Sequence, residues 1–150
     1  MHYLVSKTTV LVSLCLFFVL GSPVAHADNA LTAVAGTWEI SGDPEPTCGA
    51  GPFVNIASIT KGGNVINVDP VVGTALGEVY RIGGKEFGVG FFGFINNGMA
   101  ILRYEVKGTL TLIDQDQGVG AFTTTLFDPS GAPICAYGGT LAANRLIPAL

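Results

Sequence analysis

Hydrophobic and polar positions alternate with a period of two along much of the chain, and residues 99–113 show this pattern most clearly. One face of that segment is apolar and carries Leu102, Tyr104, Val106, Leu110 and Leu112. The other face is polar and carries Arg103, Glu105, Lys107, Thr109 and Thr111. This alternation is typical of an antiparallel strand with one face in the core and the other in solvent.

Turn-forming residues separate the alternating segments at short intervals. Turns are predicted at residues 61–64, 83–84, 96–98, 114–117 and 128–131. Asn97-Gly98 supplies the positive φ angles that tight hairpins require, and Gly131 can take the left-handed position after Pro129. These connections are of hairpin length, so they leave no room for a crossover helix.

The pattern predicts about eight strands, at residues 36–41, 53–60, 64–69, 75–82, 85–96, 99–113, 118–128 and 133–146. Eight antiparallel strands connected in chain order can close on themselves and leave no sheet edge exposed. The predicted fold class is therefore all-β, a single eight-stranded antiparallel up-and-down β-barrel, with a two-sheet β-sandwich as the alternative. A barrel of this size is either filled with side chains or holds one small ligand.

The N-terminus has the layout of a secretory signal peptide. Lys7 precedes an apolar run at residues 10–20, and Gly21-Ser22-Pro23 and the small-residue triplet Ala25-His26-Ala27 follow it. The run is too short to span a bilayer, and no later stretch is long and apolar enough to do so. We therefore expect residues 1–27 to be removed, leaving a secreted or periplasmic domain at residues 28–150 that is not transmembrane.

Removal of this signal changes the composition. It takes away one of seven cations and none of eleven acids, which leaves six against eleven and a net charge of −5. An acidic domain of this kind has no electrostatic footprint for nucleic acid. The loss of His2 and His26 leaves no histidine, which excludes Ser-His-Asp and Cys-His catalysis and histidine-based zinc sites.

No cofactor or metal site is predicted either. Asp114-x-Asp116-x-Gly118 resembles the opening of a calcium loop but lacks the later bidentate glutamate, so a hairpin turn is favoured. Cys48 and Cys135 remain in a chain bound for an oxidising compartment, which favours a disulfide over two separate thiols. On the loop-entropy account a bridge of this span stabilises by about 4 to 5 kcal/mol.

Both ends of the predicted barrel resemble the lipocalin and wider calycin superfamily. Gly36-Thr37-Trp38 opens the first strand and Asn144-Arg145-Leu146 closes the last. In that superfamily, a tryptophan on the first strand packs under a basic residue near the barrel's end. The resemblance implies this structural role for Trp38 and Arg145. Barrels of the allene oxide cyclase and dirigent type are a related resemblance, in strand count and glycine use.

The aromatic residues of the strands are candidates for a ligand cavity, with a fully packed core as the alternative. Five of them are predicted to bind ligand: Tyr80, Phe87, Phe91, Tyr104 and Phe122. Arg81 or Arg103 could meet a ligand carboxylate, although strand parity puts Arg103 on the outer face, where it would pair with Glu105.

The favoured function is that of an exported lipocalin-like barrel that binds a small hydrophobic molecule without acting on it. One alternative is a cofactor-free isomerase or cyclase in which Glu78 and Tyr80, which share strand parity, face one cavity. Another is a solid barrel that acts as an envelope protein or a partner-binding protein. In that case the outward phenylalanines of residues 85–96 would be covered by another subunit of a homo-oligomer.

Overall fold

The computed structural model describes residues 31–146, and the predicted signal peptide at residues 1–27 lies outside the described residues. Eight strands follow one another: β1 (Gly36–Pro44), β2 (Phe53–Ile59), β3 (Asn64–Asp69), β4 (Gly73–Gly83), β5 (Glu86–Asn96), β6 (Ile101–Leu112), β7 (Gln117–Phe127) and β8 (Pro133–Arg145). Each pairs antiparallel with the next, and β8 pairs with β1, which closes the barrel. The predicted eight-stranded barrel is confirmed, and the β-sandwich alternative is wrong. Within the described residues, no helix has the length and apolar character needed to cross a membrane.

The connections define two ends of the barrel. Residues 60–63, 84–85 and 113–116 join strands at one end, where the chain also enters β1 and leaves β8. We call this the closed end. Residues 45–52, 70–72, 97–100 and 128–132 join strands at the other, which we call the open end. The connection at 45–52 is the longest of the seven, and it matters for the site below.

The predicted turn chemistry is present in part. Gly98 and Gly131 have φ angles of 84° and 86°, in the left-handed region that glycine adopts without steric cost. Asn97 does not have the positive φ expected of it, because Cys48 is the one non-glycine residue within residues 31–146 that has one. Asp114 makes an ordinary hairpin turn, because its Oδ1 accepts hydrogen bonds from the backbone N–H groups of Asp116 and Gln117, both at 2.8 Å.

Strand β1 is longer than the sequence pattern indicates. That pattern predicts an end at residue 41, before Gly42-Asp43-Pro44, a sequence that is locally typical of a turn. The structure continues the strand to Pro44 because these residues pair with β8, with Asp43 opposite Thr140 and Pro44 opposite Gly139. Barrel closure therefore overrides the local turn propensity at this point.

Apolar side chains fill the closed end. The packed residues are Val34, Trp38, Ile59, Val65, Val79, Phe87, Leu110, Leu112 and Ala143. The indole of Trp38 is fully buried, and its Nε1–H donates to the carbonyl of Val34, in the short turn that leads into β1. These side chains form one packed cluster at this end of the barrel.

The guanidinium of Arg145 covers this packed end. Its Cζ lies 4.2 Å from the centre of the Trp38 ring. It donates hydrogen bonds to the carbonyls of Gln115 and Ala33, both at 2.8 Å, and to that of Ala35, and it forms an ion pair with Asp116 at 3.3 Å. The structure thus brings Trp38 and Arg145 together in a cation–π contact that ties the chain entrance to the last strand.

Candidate functional site

A cavity of about 600 Å³ lies in the half of the barrel nearer the open end. Its floor is the top of the packed closed end, at Ile59, Val65 and Leu110, which belong to both. Its mouth is formed by residues of the 45–52 and 70–72 connections. The volume is within the range of small-molecule sites in proteins, about 300 to 1,000 Å³. The interior is therefore filled at one end and hollow at the other.

Inward-facing glycines determine where the aromatic walls lie. Tyr104 on β6 is opposite Gly93 on β5, and a Cβ atom at Gly93 would lie 2.6 Å from the tyrosine ring. Phe53 lies in the same way across Gly42. The rings of Phe53 and Phe122 meet edge to face, with their centres 5.5 Å apart. Because the glycines have no side chains, these rings occupy wall space that a Cβ atom would otherwise fill.

Polar side chains interrupt the apolar wall at a few positions. The polar lining residues are Asn55, Asn67, Asp69, Tyr104, Thr109, Thr124 and Tyr137. Tyr104 is 4% exposed and Asn55 is 7% exposed. Within residues 31–146, the hydroxyl of Tyr104 and Oδ1 of Asn55 are buried and have no hydrogen-bond partner. Buried polar groups in native proteins are nearly always paired, so two unpaired groups in one cavity indicate a place for a ligand or water.

The phenol of Tyr104 and the carboxylate of Asp69 are two acidic groups in the cavity lining. Burial raises the pKa of the Tyr104 phenol above its ordinary value, and the nearby Asp69 and Tyr137 raise it further. The phenol therefore stays protonated at neutral pH. Asp69 ends β3 at the mouth, and its Oδ1 accepts hydrogen bonds from the N–H groups of Val71 and Val72 at 2.7 and 3.0 Å.

The cysteine pair lies at the open end. Cys48 in the 45–52 connection and Cys135 on β8 have their Cα atoms 6.2 Å apart, which is within disulfide distance. The residues that follow Cys48, Gly49 to Pro52, line the cavity. The bridge therefore anchors one side of the mouth to the barrel wall.

The predicted ligand-binding residues fall into three groups. Phe91, Tyr104 and Phe122 line the cavity. Phe87 is 1% exposed and belongs to the packed closed end. Tyr80 is 61% exposed on the outer face of β4, where its ring lies over Gly88 of β5, so the position expected for it inside the barrel is wrong. Its parity partner Glu78 is exposed on the same outer face.

The two arginines considered for a ligand carboxylate also lie outside the cavity. Arg103 is on the outer face of β6, as strand parity predicted, with Glu105 at 3.1 Å and the ring of Phe127 at 4.4 Å from its Cζ. Arg81 is exposed and donates to the carbonyl of Gly84 at the closed end. Neither guanidinium is among the lining groups of the cavity.

Sequence reasoning missed several lining residues: Phe53, Asn55, Asn67 and Asp69. A signal for them exists in the alternation itself. Asn55 shares strand parity with Ala57 and Ile59, and Asn67 shares it with Val65, so each is a polar residue on an apolar face. A polar residue in the apolar register of a strand is a marker of a polar site inside a barrel.

In residues 31–146, no group of three or more His, Cys, Asp or Glu side chains is placed to hold a metal ion.

The outer face of β3 to β5 exposes a row of apolar side chains: Ile66, Val68, Leu76, Phe92 and Phe94. The rings of Phe92 and Phe94 contact each other edge to face on this outer wall, at 6.4 Å between centres.

Comparison with known proteins does not assign a family. No protein-family model matches the chain, and no curated protein matches it. Among solved structures, the chain is similar to one described as EF1p2_mFAP2b bound to DFHBI, with 13% sequence identity and a TM-score of 0.42. The alignment covers 80% of this chain and 99% of that chain. At this TM-score the likeness carries no argument about what the present chain does.

Proposed function

We propose that this chain is an exported, lipocalin-like barrel that binds one small, largely apolar molecule in its cavity and carries out no reaction on it. The observation that carries the proposal is the cavity of about 600 Å³ with two buried polar groups that find no partner among residues 31–146, the hydroxyl of Tyr104 and Oδ1 of Asn55. Apolar walls with a few convergent polar groups are the usual composition of small-molecule sites.

The unpaired groups favour a ligand over a merely imperfect core. An unsatisfied buried polar group costs about 1 to 3 kcal/mol of stability. Replacing both Tyr104 and Asn55 by apolar residues would avoid that cost if the cavity only had to be filled. A ligand with its own hydrogen-bonding group would satisfy them and would gain affinity and orientation in return.

The catalytic alternative has less support. Its carboxylate and phenol, Glu78 and Tyr80, are on the outer wall of β4, away from the cavity. A general base must be within hydrogen-bond reach of the proton it removes. The solid-barrel alternative requires an interior without space, and the hollow half of this barrel does not meet that requirement.

Export is part of the proposal. The apolar run at residues 10–20 and the Ala25-His26-Ala27 triplet support a cleaved signal peptide. The pairing of Cys48 with Cys135 at disulfide distance fits an oxidising compartment. The N-terminal residue of the protein recovered from its own host tests this directly, and Asp28 is expected there.

The binding proposal is tested by native mass spectrometry of the protein purified from its own host. We expect a discrete added mass that is lost on denaturation and recovered in a solvent extract. The extracted molecule is then titrated into the ligand-free protein and into Tyr104→Phe, which removes only the hydroxyl. The affinity should fall about tenfold in that variant.

Two matched variants separate binding from the alternatives. Tyr80→Phe removes a hydroxyl from the outer wall and should leave affinity unchanged. Glu78→Gln should likewise have no effect on a binder, whereas it would abolish turnover in the proposed isomerase. If the protein carries no ligand and Tyr104→Phe and Tyr80→Phe behave alike with every apolar probe, the binding proposal is wrong.

A further inference from the structure

The polar groups that line the cavity are rich in acceptors. Asp69 is the one lining residue, in the part of the chain the structure describes, that has a carboxylate, ammonium or guanidinium side chain. Both hydrogen bonds that hold its carboxylate fall on Oδ1, so Oδ2 is left for a ligand. The unpaired Oδ1 of Asn55 is also an acceptor, and the hydroxyl oxygen of Tyr104 can act as one.

The cations of the described chain are placed away from this cavity. Lys61, Arg81, Lys85 and Arg145 belong to the closed end, either in its connections or at the adjoining strand ends. Arg103 and Lys107 are on the outer face of β6. A carboxylate ligand would therefore lose its hydration inside the cavity without meeting a cation, which is strongly unfavourable.

Acidic side chains surround the open end as well. Asp43 ends β1, Glu45 follows it, and Asp128 begins the connection after β7. With Asp69, these place four carboxylates at the open end, against one guanidinium there, that of Arg103, which is paired with Glu105. The negative potential of such a rim attracts cations to the cavity and repels anions.

From this charge distribution we propose that the cavity selects a hydrophobic amine, with its ammonium group at Asp69 and its apolar part directed toward the floor at Ile59, Val65 and Leu110. This rests on the proposed binding function and adds the ligand's chemical class. An ammonium has three donors and no acceptor, which matches the acceptor-rich polar cluster. Since Asp69 is at the mouth, the ammonium stays close to water while the apolar part is buried.

The test compares three probes with the same tail: decylamine, decanol and decanoate, each titrated calorimetrically below its micellar concentration at neutral pH. We expect the amine to bind most tightly, by about tenfold or more over decanoate. Asp69→Asn should remove that advantage while leaving decanol affinity unchanged. The substitution keeps Oδ1 and thus the hydrogen bonds to Val71 and Val72, so the turn is preserved.

Asp43→Asn is the matched control, because Asp43 is an exposed rim carboxylate that does not line the cavity. It should change amine affinity far less than Asp69→Asn. Decanoate binding as tightly as decylamine, or an amine preference that survives Asp69→Asn, would overturn the inference while the proposed binding function stands. Failure of all three probes to bind would overturn the inference, whereas the binding function is overturned only if the protein from its own host also carries no ligand.

Discussion

The phenol ring of Tyr104 on β6 lies across Gly93, its cross-strand partner on β5, in space that any other residue at position 93 would fill. A Cβ atom there would lie 2.6 Å from both Cζ and the hydroxyl oxygen of the tyrosine. The glycine therefore fixes where the buried hydroxyl of Tyr104 lies. A glycine at position 93 is thus needed to place the Tyr104 hydroxyl, the polar group that we assign to ligand recognition.

Gly93→Ala is expected to displace the Tyr104 ring and to weaken ligand binding. Overpacking of this kind costs about 1 to 3 kcal/mol of stability. Urea unfolding measures the loss of stability, and calorimetry measures the loss of ligand affinity. Gly90→Ala on the same strand is the control, because its Cβ would meet only the carbonyl oxygen of Val106, at 3.9 Å. Equal behaviour of the two variants would show that Gly93 has no part in placing the tyrosine.

Tyr104→Phe should leave the ligand-free protein at least as stable as the parent. The lost hydroxyl has no hydrogen-bond partner in the part of the chain that the structure describes, so its removal avoids a desolvation cost of about 1 to 3 kcal/mol. Urea unfolding of the two ligand-free proteins measures the difference. A clear loss of stability would mean that the hydroxyl makes a structural hydrogen bond in the ligand-free protein. Its burial would then be explained without a role in binding.

The raised pKa of Tyr104 predicts a specific alkaline weakness. Below the ordinary value of 10.0, the phenol is protonated in both the folded and the unfolded chain, so its contribution to stability does not change with pH. As the pH rises above that value, the unfolded chain loses its proton first, and the free energy of unfolding falls until the pH passes the folded pKa. Urea unfolding across this range should show a steeper loss in the parent than in Tyr104→Phe. Parallel curves would contradict the prediction.

The barrel itself follows from the sequence because its signal is local. Period-two alternation and short turns specify strands, faces and an antiparallel order, and barrel closure is the arrangement that leaves no edge. The alternation in β6 predicts Tyr104 on the inner face, because the opposite face of that strand is polar. The extension of β1 to Pro44 was missed because it depends on pairing with β8, which is distant in the sequence.

Strand β4 shows why the site was harder to predict. Its outward face carries Leu76, Tyr80 and Ile82, whereas its inward face has smaller side chains such as Ala75 and Val79. Hydrophobicity alone therefore assigns the faces the wrong way round. The neighbouring strand also restricts the inner face: a Cβ on Gly77 would clash with the carbonyl oxygen of Gly90 and with the Cβ of Phe91. This is a property of packing across strands, which a single sequence does not reveal.

Arg145→Lys is expected to lower stability by about 2 to 4 kcal/mol without changing ligand affinity. The planar guanidinium donates to three carbonyls while covering Trp38, and a lysine ammonium cannot reproduce that geometry. Urea unfolding and calorimetry measure the two effects. Arg81→Lys, at an exposed arginine with one hydrogen bond to Gly84, should stay within about 0.5 kcal/mol of the parent. If Arg145→Lys bound ligand more weakly while folded, the closed end would not be independent of the cavity.

Replacing Cys48 and Cys135 together by serine should both destabilise the barrel and speed ligand release. The bridge spans 87 residues of sequence, so its loss costs on the order of 4 kcal/mol on the loop-entropy account. It also frees the 45–52 connection, whose residues Gly49 to Pro52 form part of the cavity lining. Thermal unfolding measures the first effect, and stopped-flow displacement of bound ligand measures the second.

The two effects of that double variant separate a structural bridge from one that also holds the mouth. At a temperature where the variant is fully folded, the ligand's dissociation rate should rise several-fold, while its association rate changes little, because the acidic rim and the cavity floor are intact. A dissociation rate equal to that of the parent would mean that the mouth is held by the other contacts of the connection, such as the hydrogen bond from the N–H of Glu45 to the carbonyl of Gly138 at 2.8 Å. The bridge would then stabilise the fold alone.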